Sequence, residues 1–140
     1  LFNIARNNEK NFNVAISNKS QKIKYYYRKK INMLNTINKQ FAKSSFKKEF
    51  KIGYVQSETL NLILNKSKFK NKKIDFLNLD IEGNEINALK SLNFRKYSPK
   101  LICIEIHNNT SGRNSKDYIK KKPIYKFLKN KGYKHVSKFV

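Results

Sequence analysis

In the second half of the chain, apolar runs typical of strands alternate with segments whose apolar residues are spaced as on one face of a helix. Residues 74–81 and 101–106 are rich in apolar side chains, and such near-continuous runs are typical of parallel strands buried on both faces. Between them, Ile86, Leu89 and Leu92 recur at the spacing of one helical face. This alternation predicts an α/β domain with a parallel sheet.

A second helix and a final strand are predicted near the end of the chain. Pro123 suits the first position of a helix that carries Phe127 and Leu128, and Gly132 suits the stop that follows it. Residues 133–140 then predict a last strand. These elements extend the α/β alternation to the end of the sequence.

The first half of the chain predicts three strands around a polar segment. Residues 11–17 alternate apolar and polar side chains, and residues 23–27 and 50–55 are rich in β-branched and aromatic residues. Residues 28–50 are polar and lysine-rich without a clear period. They predict a long loop or lid.

A helix is predicted directly after the third of these strands. Ser57 is a candidate N-cap, and Glu58 would place a negative charge in the first turn, where it suits the helix dipole. Leu60, Ile63 and Leu64 then form one apolar helical face.

The charge of the chain raises the possibility of a nucleic-acid-binding module. The 140 residues include 32 Lys and Arg against 9 Asp and Glu, a net charge of +23, which favours contact with phosphates. However, 28 of the basic residues are Lys and only 4 are Arg, whereas specific contacts favour the Arg fork. Residues 74–107 carry a net charge of −1, so the excess lies outside the most regular part of the sequence. It is interpreted as a solvated face.

Other classes of protein are disfavoured by composition. A single cysteine, Cys103, excludes an internal disulfide framework, and no zinc-type spacing of Cys and His is present, so no metal ligands are predicted. The apolar runs are shorter than the ~20 residues of a membrane span. We expect no signal peptide before Leu1, and we expect a cytoplasmic protein whose sequence begins inside a longer gene product.

Polar side chains follow the two predicted parallel strands at the same edge. Asn78, Asp80 and Glu82 are two residues apart and point to one side while the chain stays extended. Glu105 and His107 repeat this arrangement on the next strand. Ligands of open α/β sheets bind beyond the carboxyl ends of the strands, which makes these residues candidates for a functional site.

A purely structural interpretation of the same residues stays open. Gly83 allows a tight turn, and Glu85 lies at the start of the next helix, where a carboxylate is favourable in any protein. Asp80 and Glu82 would then belong to a strand–turn–helix junction without chemistry.

Several longer segments of the chain form a recognisable pattern: IDFLNLDIEGNEINALKSL, SPKLICIEIH and IYKFLKNKGY, with YVQSETLNLILNKS and FNVAISNKSQKIKYYY upstream. This pattern resembles the FkbM-type methyltransferases, whose signature is of the form IDxxKxDxEGxE followed by a helix. The resemblance covers about residues 12–133. It implies a Rossmann-like methyltransferase fold with a mostly parallel sheet.

The chain departs from the family pattern in several ways. Asn78 replaces the usual Lys, Asn84 a small residue, Asn61 an Asp and Ser91 a Gly. The first strand of the family, its DxGANxG loop for S-adenosylmethionine and the acidic element that binds the ribose have no counterpart. We therefore expect residues 1–140 to be a single partial domain, truncated at its N-terminus and inactive in isolation.

The usual strand order of this fold makes a further prediction. It places the two missing strands between residues 11–17 and 74–81. The truncated sheet must either leave a gap there or let the remaining strands pair directly.

The resemblance also implies a reaction and roles for residues. It implies an S-adenosylmethionine-dependent O-methyltransferase acting on a hydroxyl of a sugar, glycan or other small molecule. Asp80 would orient the acceptor, accept its proton or attract the sulfonium charge. The residues implied are catalytic Asp80, Glu82, Glu105 and His107; cofactor-binding Ala15, Ile16 and Asp80; and substrate-binding Glu85 and Asn78.

Two other functions compete with the methyltransferase hypothesis. The first is the basic nucleic-acid-binding module, although nucleic acid is not the partner we expect. The second is an inactive fragment of a methyltransferase. The expected partner is a small-molecule or glycan acceptor.

Overall fold

The computed structural model describes residues 9–28, 35–47, 49–106 and 117–137. The chain forms two compact units, Leu1–Glu105 and Ile106–Val140, and each is described by itself. The single partial domain expected over residues 1–140 stays a prediction.

Five strands form two separate sheets in the described ranges. The three-stranded sheet has the order β1-β3-β2, with β1 parallel and β2 antiparallel to the central strand, and the two-stranded sheet pairs β4 with β5 in parallel. The strands are β1 (Ala15–Ile16), β2 (Gln21–Tyr27), β3 (Lys51–Glu58), β4 (Phe76–Leu79) and β5 (Leu101–Ile104). The strands predicted between residues 11 and 106 are present, β1 being much shorter than expected.

Five short helices accompany the sheets in the part of the chain that the structure describes. They are α1 (Lys39–Ser45), α2 (Leu60–Lys66), α3 (Glu85–Lys90), α4 (Asp117–Lys121) and α5 (Pro123–Asn130). Within the described ranges, none of them has the length and apolar character needed to cross a bilayer. The mixture of helices and sheets with parallel strands confirms the α/β class.

Helix α1 corrects the prediction of a loop over residues 28–50. The helix begins because the Asn38 side chain accepts hydrogen bonds from the backbone N–H groups of Gln40 (3.0 Å) and Phe41 (3.1 Å), as an N-cap does. The helix is stabilised by packing, because Ala42 and Phe46, four residues apart, are buried in a cluster with Tyr26 of β2. The lysine-rich composition of the segment hid this narrow apolar stripe.

The N-cap of α2 is Thr59 and not Ser57. Thr59 Oγ1 accepts the backbone N–H of Leu62 at 3.2 Å. Ser57 belongs to β3, where its fully buried hydroxyl lies 2.7 Å from the carbonyl oxygen of Lys19 and 2.9 Å from that of Gln21. The strand extends further than predicted because Ser57 pairs with Ala15 of β1.

The β4–β5 sheet has one covered and one open face. Leu79 is only 3% exposed, whereas Phe76 and Leu101, paired directly across the two strands, are 56% and 52% exposed. The prediction that both faces of these strands are buried is therefore wrong. An apolar run makes a strand suitable for burial on both faces. The second face is buried only where another layer packs against it, and the exposure of Phe76 and Leu101 shows that this face is left open.

Strands β1 and β4 belong to different sheets. Of the two alternatives that follow from the family's usual strand order, the described residues show the one with no direct pairing. The Asn84 side chain, which follows the turn after β4, donates a hydrogen bond to the carbonyl oxygen of Ile16 in β1.

Unit Ile106–Val140 contains the predicted helix α5. Pro123 occupies the start of the helix, and Gly132, with φ of +88°, follows its end. The N–H of Gly132 bonds to the carbonyl of Lys129 and that of Tyr133 to the carbonyl of Leu128, both at 3.0 Å, which is a Schellman motif. Residues 133–137 form no strand, so the predicted last strand is wrong for the part that the structure describes.

Candidate active site at the carboxyl end of the β4–β5 sheet

Three predicted site residues lie together beyond the carboxyl ends of β4 and β5. Asp80 follows β4, Glu105 follows β5, and Glu82 lies in the turn after β4. One carboxylate oxygen from each residue lies within 4.8 Å of those of the other two. We call these three residues the carboxylate cluster.

The pairing register explains why Asp80 and Glu105 meet. Asn78 is paired with Cys103, and the ladder continues because the N–H of Glu105 bonds to the carbonyl oxygen of Leu79 at 3.1 Å. Side chains two residues further along each strand return to the same face, which brings the two acids to the same edge. Asn78 is exposed on this face, next to the cluster in sequence order.

The turn after β4 has an unusual backbone. Glu82 and Gly83 both adopt positive φ angles, of 54° and 91°. The Oε1 atom of Glu85 accepts hydrogen bonds from the N–H groups of Ile81 (3.2 Å) and Gly83 (3.0 Å). Glu85 is only 3% exposed, and its carboxylate makes these hydrogen bonds to the backbone of the turn. Its role in substrate binding stays a prediction.

Three neutral side chains connect this turn to other parts of the structure. Thr36 Oγ1 donates to the carbonyl oxygen of Glu82 at 2.6 Å, and Asn38 Nδ2 donates to that of Gly83 at 2.8 Å. Asn84 Nδ2 donates to the carbonyl oxygen of Ile16 at 2.6 Å. We call Thr36, Asn38 and Asn84 the turn clamp, because together they connect the turn to α1 and to the end of β1.

Sequence reasoning missed Thr36 and Asn38 as residues that support the site. The available signal was local: Asn38 precedes Phe41, Ala42 and Phe46, which is the pattern of an N-cap followed by an apolar helical stripe. That pattern predicts a helix. It does not predict that the helix lies against Gly83.

The other predicted site residues have different outcomes. Ala15 and Ile16 form β1 and are half-buried, and the Asn84 contact places the carbonyl of Ile16 beside the turn. Their role in cofactor binding stays a prediction. His107 lies outside the described residues.

The carboxylate cluster is also a set of oxygen ligands. Carboxylate oxygens suit hard divalent cations such as Mg²⁺ and Ca²⁺. No metal ligands are predicted from the sequence. Exposed acidic groups are often close together without an ion, so the cluster is described as a group of three carboxylates.

Residues 1–135 match the family model described as the methyltransferase FkbM domain. The chain belongs to the FkbM methyltransferase family. It is therefore a methyltransferase by family membership, and the resemblance found in the sequence is confirmed. No curated protein and no solved structure matches the chain.

Proposed function

We propose that this FkbM-family chain forms part of a Rossmann-like, S-adenosylmethionine-dependent O-methyltransferase that acts on a hydroxyl of a sugar, glycan or other small molecule. The observation that carries the proposal is the carboxylate cluster at the carboxyl ends of two parallel strands. This is the edge at which open α/β sheets bind ligands.

The charge of the cluster fits the cofactor. S-adenosylmethionine has a positive sulfonium and a positive ammonium group, and when bound it supplies an electrophilic methyl group. The carboxylate oxygens of the cluster lie within 4.8 Å of one another. Two carboxylates this close repel each other by about 1 kcal/mol even in water, and a nearby positive charge relieves that repulsion. Asp80 would hold this positive end, with Ala15 and Ile16 beside the turn as the predicted contacts of the adenine.

Asp80 is the proposed proton acceptor. It is exposed at the end of β4, where an acceptor molecule can reach it. Its carboxylate would take the hydroxyl proton as the new oxygen–carbon bond forms, a contribution of about 10²–10⁴-fold in general-base catalysis. Glu82 and Glu105 would orient the acceptor, and the negative cluster favours a neutral hydroxyl over an anionic group.

Replacing Asp80 tests the proposal. Methyl transfer from radiolabelled S-adenosylmethionine to a panel of sugars and glycans is measured with the full gene product that contains this chain. Asp80→Asn should lower kcat by about 10²–10⁴-fold, because the amide cannot accept the proton.

Asp75 provides a matched control. It is an exposed carboxylate at the other end of the same strand, and Asp75→Asn should leave kcat within about twofold. Equal losses in both variants would contradict the role of Asp80. Binding of the cofactor without transfer to any acceptor would favour the inactive fragment.

The 140-residue chain by itself should bind S-adenosylmethionine weakly, since no glycine-rich loop of the family is present in its sequence. Titration calorimetry measures this directly. Tight, stoichiometric binding by the isolated chain would show that the loop is not required.

A further inference from the structure

A cavity lies at the end of the β4–β5 sheet opposite the carboxylate cluster. It has a volume of about 250 Å³ and is lined by residues that directly precede β4 and β5 or lie in the turns before them. The lining residues are Asn71, Lys72, Lys73, Lys96, Ser98 and Lys100. We call this cavity the lysine pocket.

The surroundings of the lysine pocket are strongly positive. Residues 65–73 and 94–100 together contain eight basic side chains and no acidic one. The acidic residue next to the pocket in sequence is Asp75, whose Oδ1 lies 2.7 Å from Lys100 Nζ. Four lining lysines against one carboxylate leave an excess of positive charge at the cavity.

One wall of the pocket is built by a regular alternation. Tyr97 and Pro99 are almost fully buried, whereas Lys96, Ser98 and Lys100 are exposed, so exposed and buried side chains alternate along this segment. The segment is held by a hydrogen bond from the N–H of Lys100 to the carbonyl oxygen of Ile74 at 3.0 Å. The wall is therefore positioned by buried groups and by the ion pair between Lys100 and Asp75.

Hydrogen bonds also fix the base of this wall. Tyr97 donates its hydroxyl proton to Asn65 Oδ1 at 2.8 Å, and Lys96 Nζ donates to the same oxygen at 2.8 Å. These contacts occupy one of the ammonium donors of Lys96, and the remaining ones stay available. Of the four lysines, Lys72 and Lys73 show no side-chain hydrogen bond or ion pair to any described residue.

We propose that the lysine pocket binds a phosphate-type oxyanion, either free or as the phosphate group of a small molecule. Each lysine ammonium brings a point charge and three donors, which suit phosphate oxygens. The Asn71 amide and Ser98 hydroxyl add neutral donors. The volume is far above the roughly 10–15 Å³ that one water molecule needs, so a tetrahedral anion fits with water around it.

This site is distinct from the proposed catalytic one. The lining residues precede the strands, and the carboxylate cluster follows them, so the two sites lie at opposite ends of the same sheet. The anion therefore binds apart from the methyl acceptor. The proposal does not depend on the proposed reaction.

Titration of the chain with inorganic phosphate tests the proposal. Proton–nitrogen NMR spectra are recorded at constant ionic strength, and we expect saturable shifts at Asn71 and Ser98. The double variant Lys72→Ala/Lys73→Ala should weaken binding at least tenfold. These side chains are exposed, and circular dichroism confirms that the variant is folded.

The matched control removes two other exposed lysines. Lys126 and Lys129 of α5 are exposed, and Lys126→Ala/Lys129→Ala should leave phosphate binding within about twofold. Equal weakening in both double variants would overturn the proposal, because it would show a general effect of charge. The absence of saturable shifts in the wild-type chain would also overturn it.

Two further probes identify the source of the anion. Saturable shifts with glucose 6-phosphate, lost in Lys72→Ala/Lys73→Ala, would support a phosphorylated small molecule, and shifts with inorganic phosphate alone would support the free anion. Binding of a thymidine oligonucleotide without any response to either phosphate probe would overturn the pocket in favour of a nucleic-acid surface.

Discussion

The two ends of the β4–β5 sheet differ in charge and in how their polar groups are held. At the carboxyl end, Asp80, Glu82 and Glu105 lie together, and neutral side chains fix the main chain that carries Glu82. At the amino end, four lysines line a cavity whose wall is anchored by buried groups. At the carboxyl end the side chains that fix the turn are neutral, and at the amino end the ion pair with Asp75 balances only one of the four lysines.

The length of the strands explains why the two ends do not neutralise each other. β4 has four residues, which corresponds to about 13 Å at a rise of ~3.3 Å per residue. This exceeds the screening length of ~8–10 Å at moderate salt. Each end can therefore keep its own sign, and we expect each to attract a different class of ligand.

The largest effect is expected at Gly83. Its φ of +91° disfavours any side chain, and a Cβ there would lie 3.2 Å from Asn38 Nδ2 and 3.4 Å from Phe41 Cβ. Gly83→Ala should lower the free energy of unfolding by about 2–3 kcal/mol, measured by urea denaturation, because the strained backbone and the displaced clamp contact add together.

Gly132 separates these two causes. It has a similar φ of +88°, and a Cβ there would meet no atom within 4 Å. Gly132→Ala should cost about 1–2 kcal/mol, which is the backbone term alone. Equal costs for the two variants would show that the clamp contact at Gly83 contributes nothing.

The next largest loss of stability is expected at Thr36 of the turn clamp. Its hydroxyl donates to the Glu82 carbonyl and is buried, so Thr36→Ala should lower the free energy of unfolding by about 1–2 kcal/mol. Thr36→Ser keeps the hydroxyl and should recover most of this loss. At the other end of the sheet, Ser98→Ala should stay within about 0.5 kcal/mol, as exposed positions do. A Thr36→Ala chain as stable as wild type would refute the clamp.

The smallest effect is expected for the ion pair between Asp75 and Lys100. The hydrogen bond and charge of Lys100 lower the pKa of Asp75, and Asp75 in turn raises the pKa of Lys100. The pair is therefore fully formed at neutral pH, and its contribution is lost as the pH falls through the lowered pKa of Asp75 or rises through the raised pKa of Lys100. Both side chains are exposed, so this contribution is small.

Carbon NMR titration of the Asp75 carboxyl group checks this prediction. In Lys100→Ala the pKa of Asp75 should rise towards its ordinary value, because the hydrogen bond and the charge that lower it are removed. Lys96→Ala removes another lining lysine and should leave the pKa of Asp75 unchanged. A shift of equal size in both variants would show that the general positive field, and not the pair, holds the carboxyl ionised.

Much of the α/β pattern was predictable because it depends on local apolar periodicity. The strands around Ile23, Leu77 and Ile102 and the helices at Leu64, Leu89 and Phe127 were all expected from spacing. Helix α1 was not, because its apolar stripe is only a few residues wide within a lysine-rich segment. The exposed face of β4 was also missed, since the sequence of a strand does not state how many layers cover it.

The sequence by itself determined the α/β alternation, the family and the placement of acids after two successive strands. These follow from side-chain period and from the order of residues along the chain. Only the tertiary structure decided which segment holds the turn at Gly83, and that Lys72 and Lys73 share a cavity with Lys96 and Lys100. Contacts between residues about 25 to 45 positions apart depend on how elements pack, and local sequence preference carries no information about that packing.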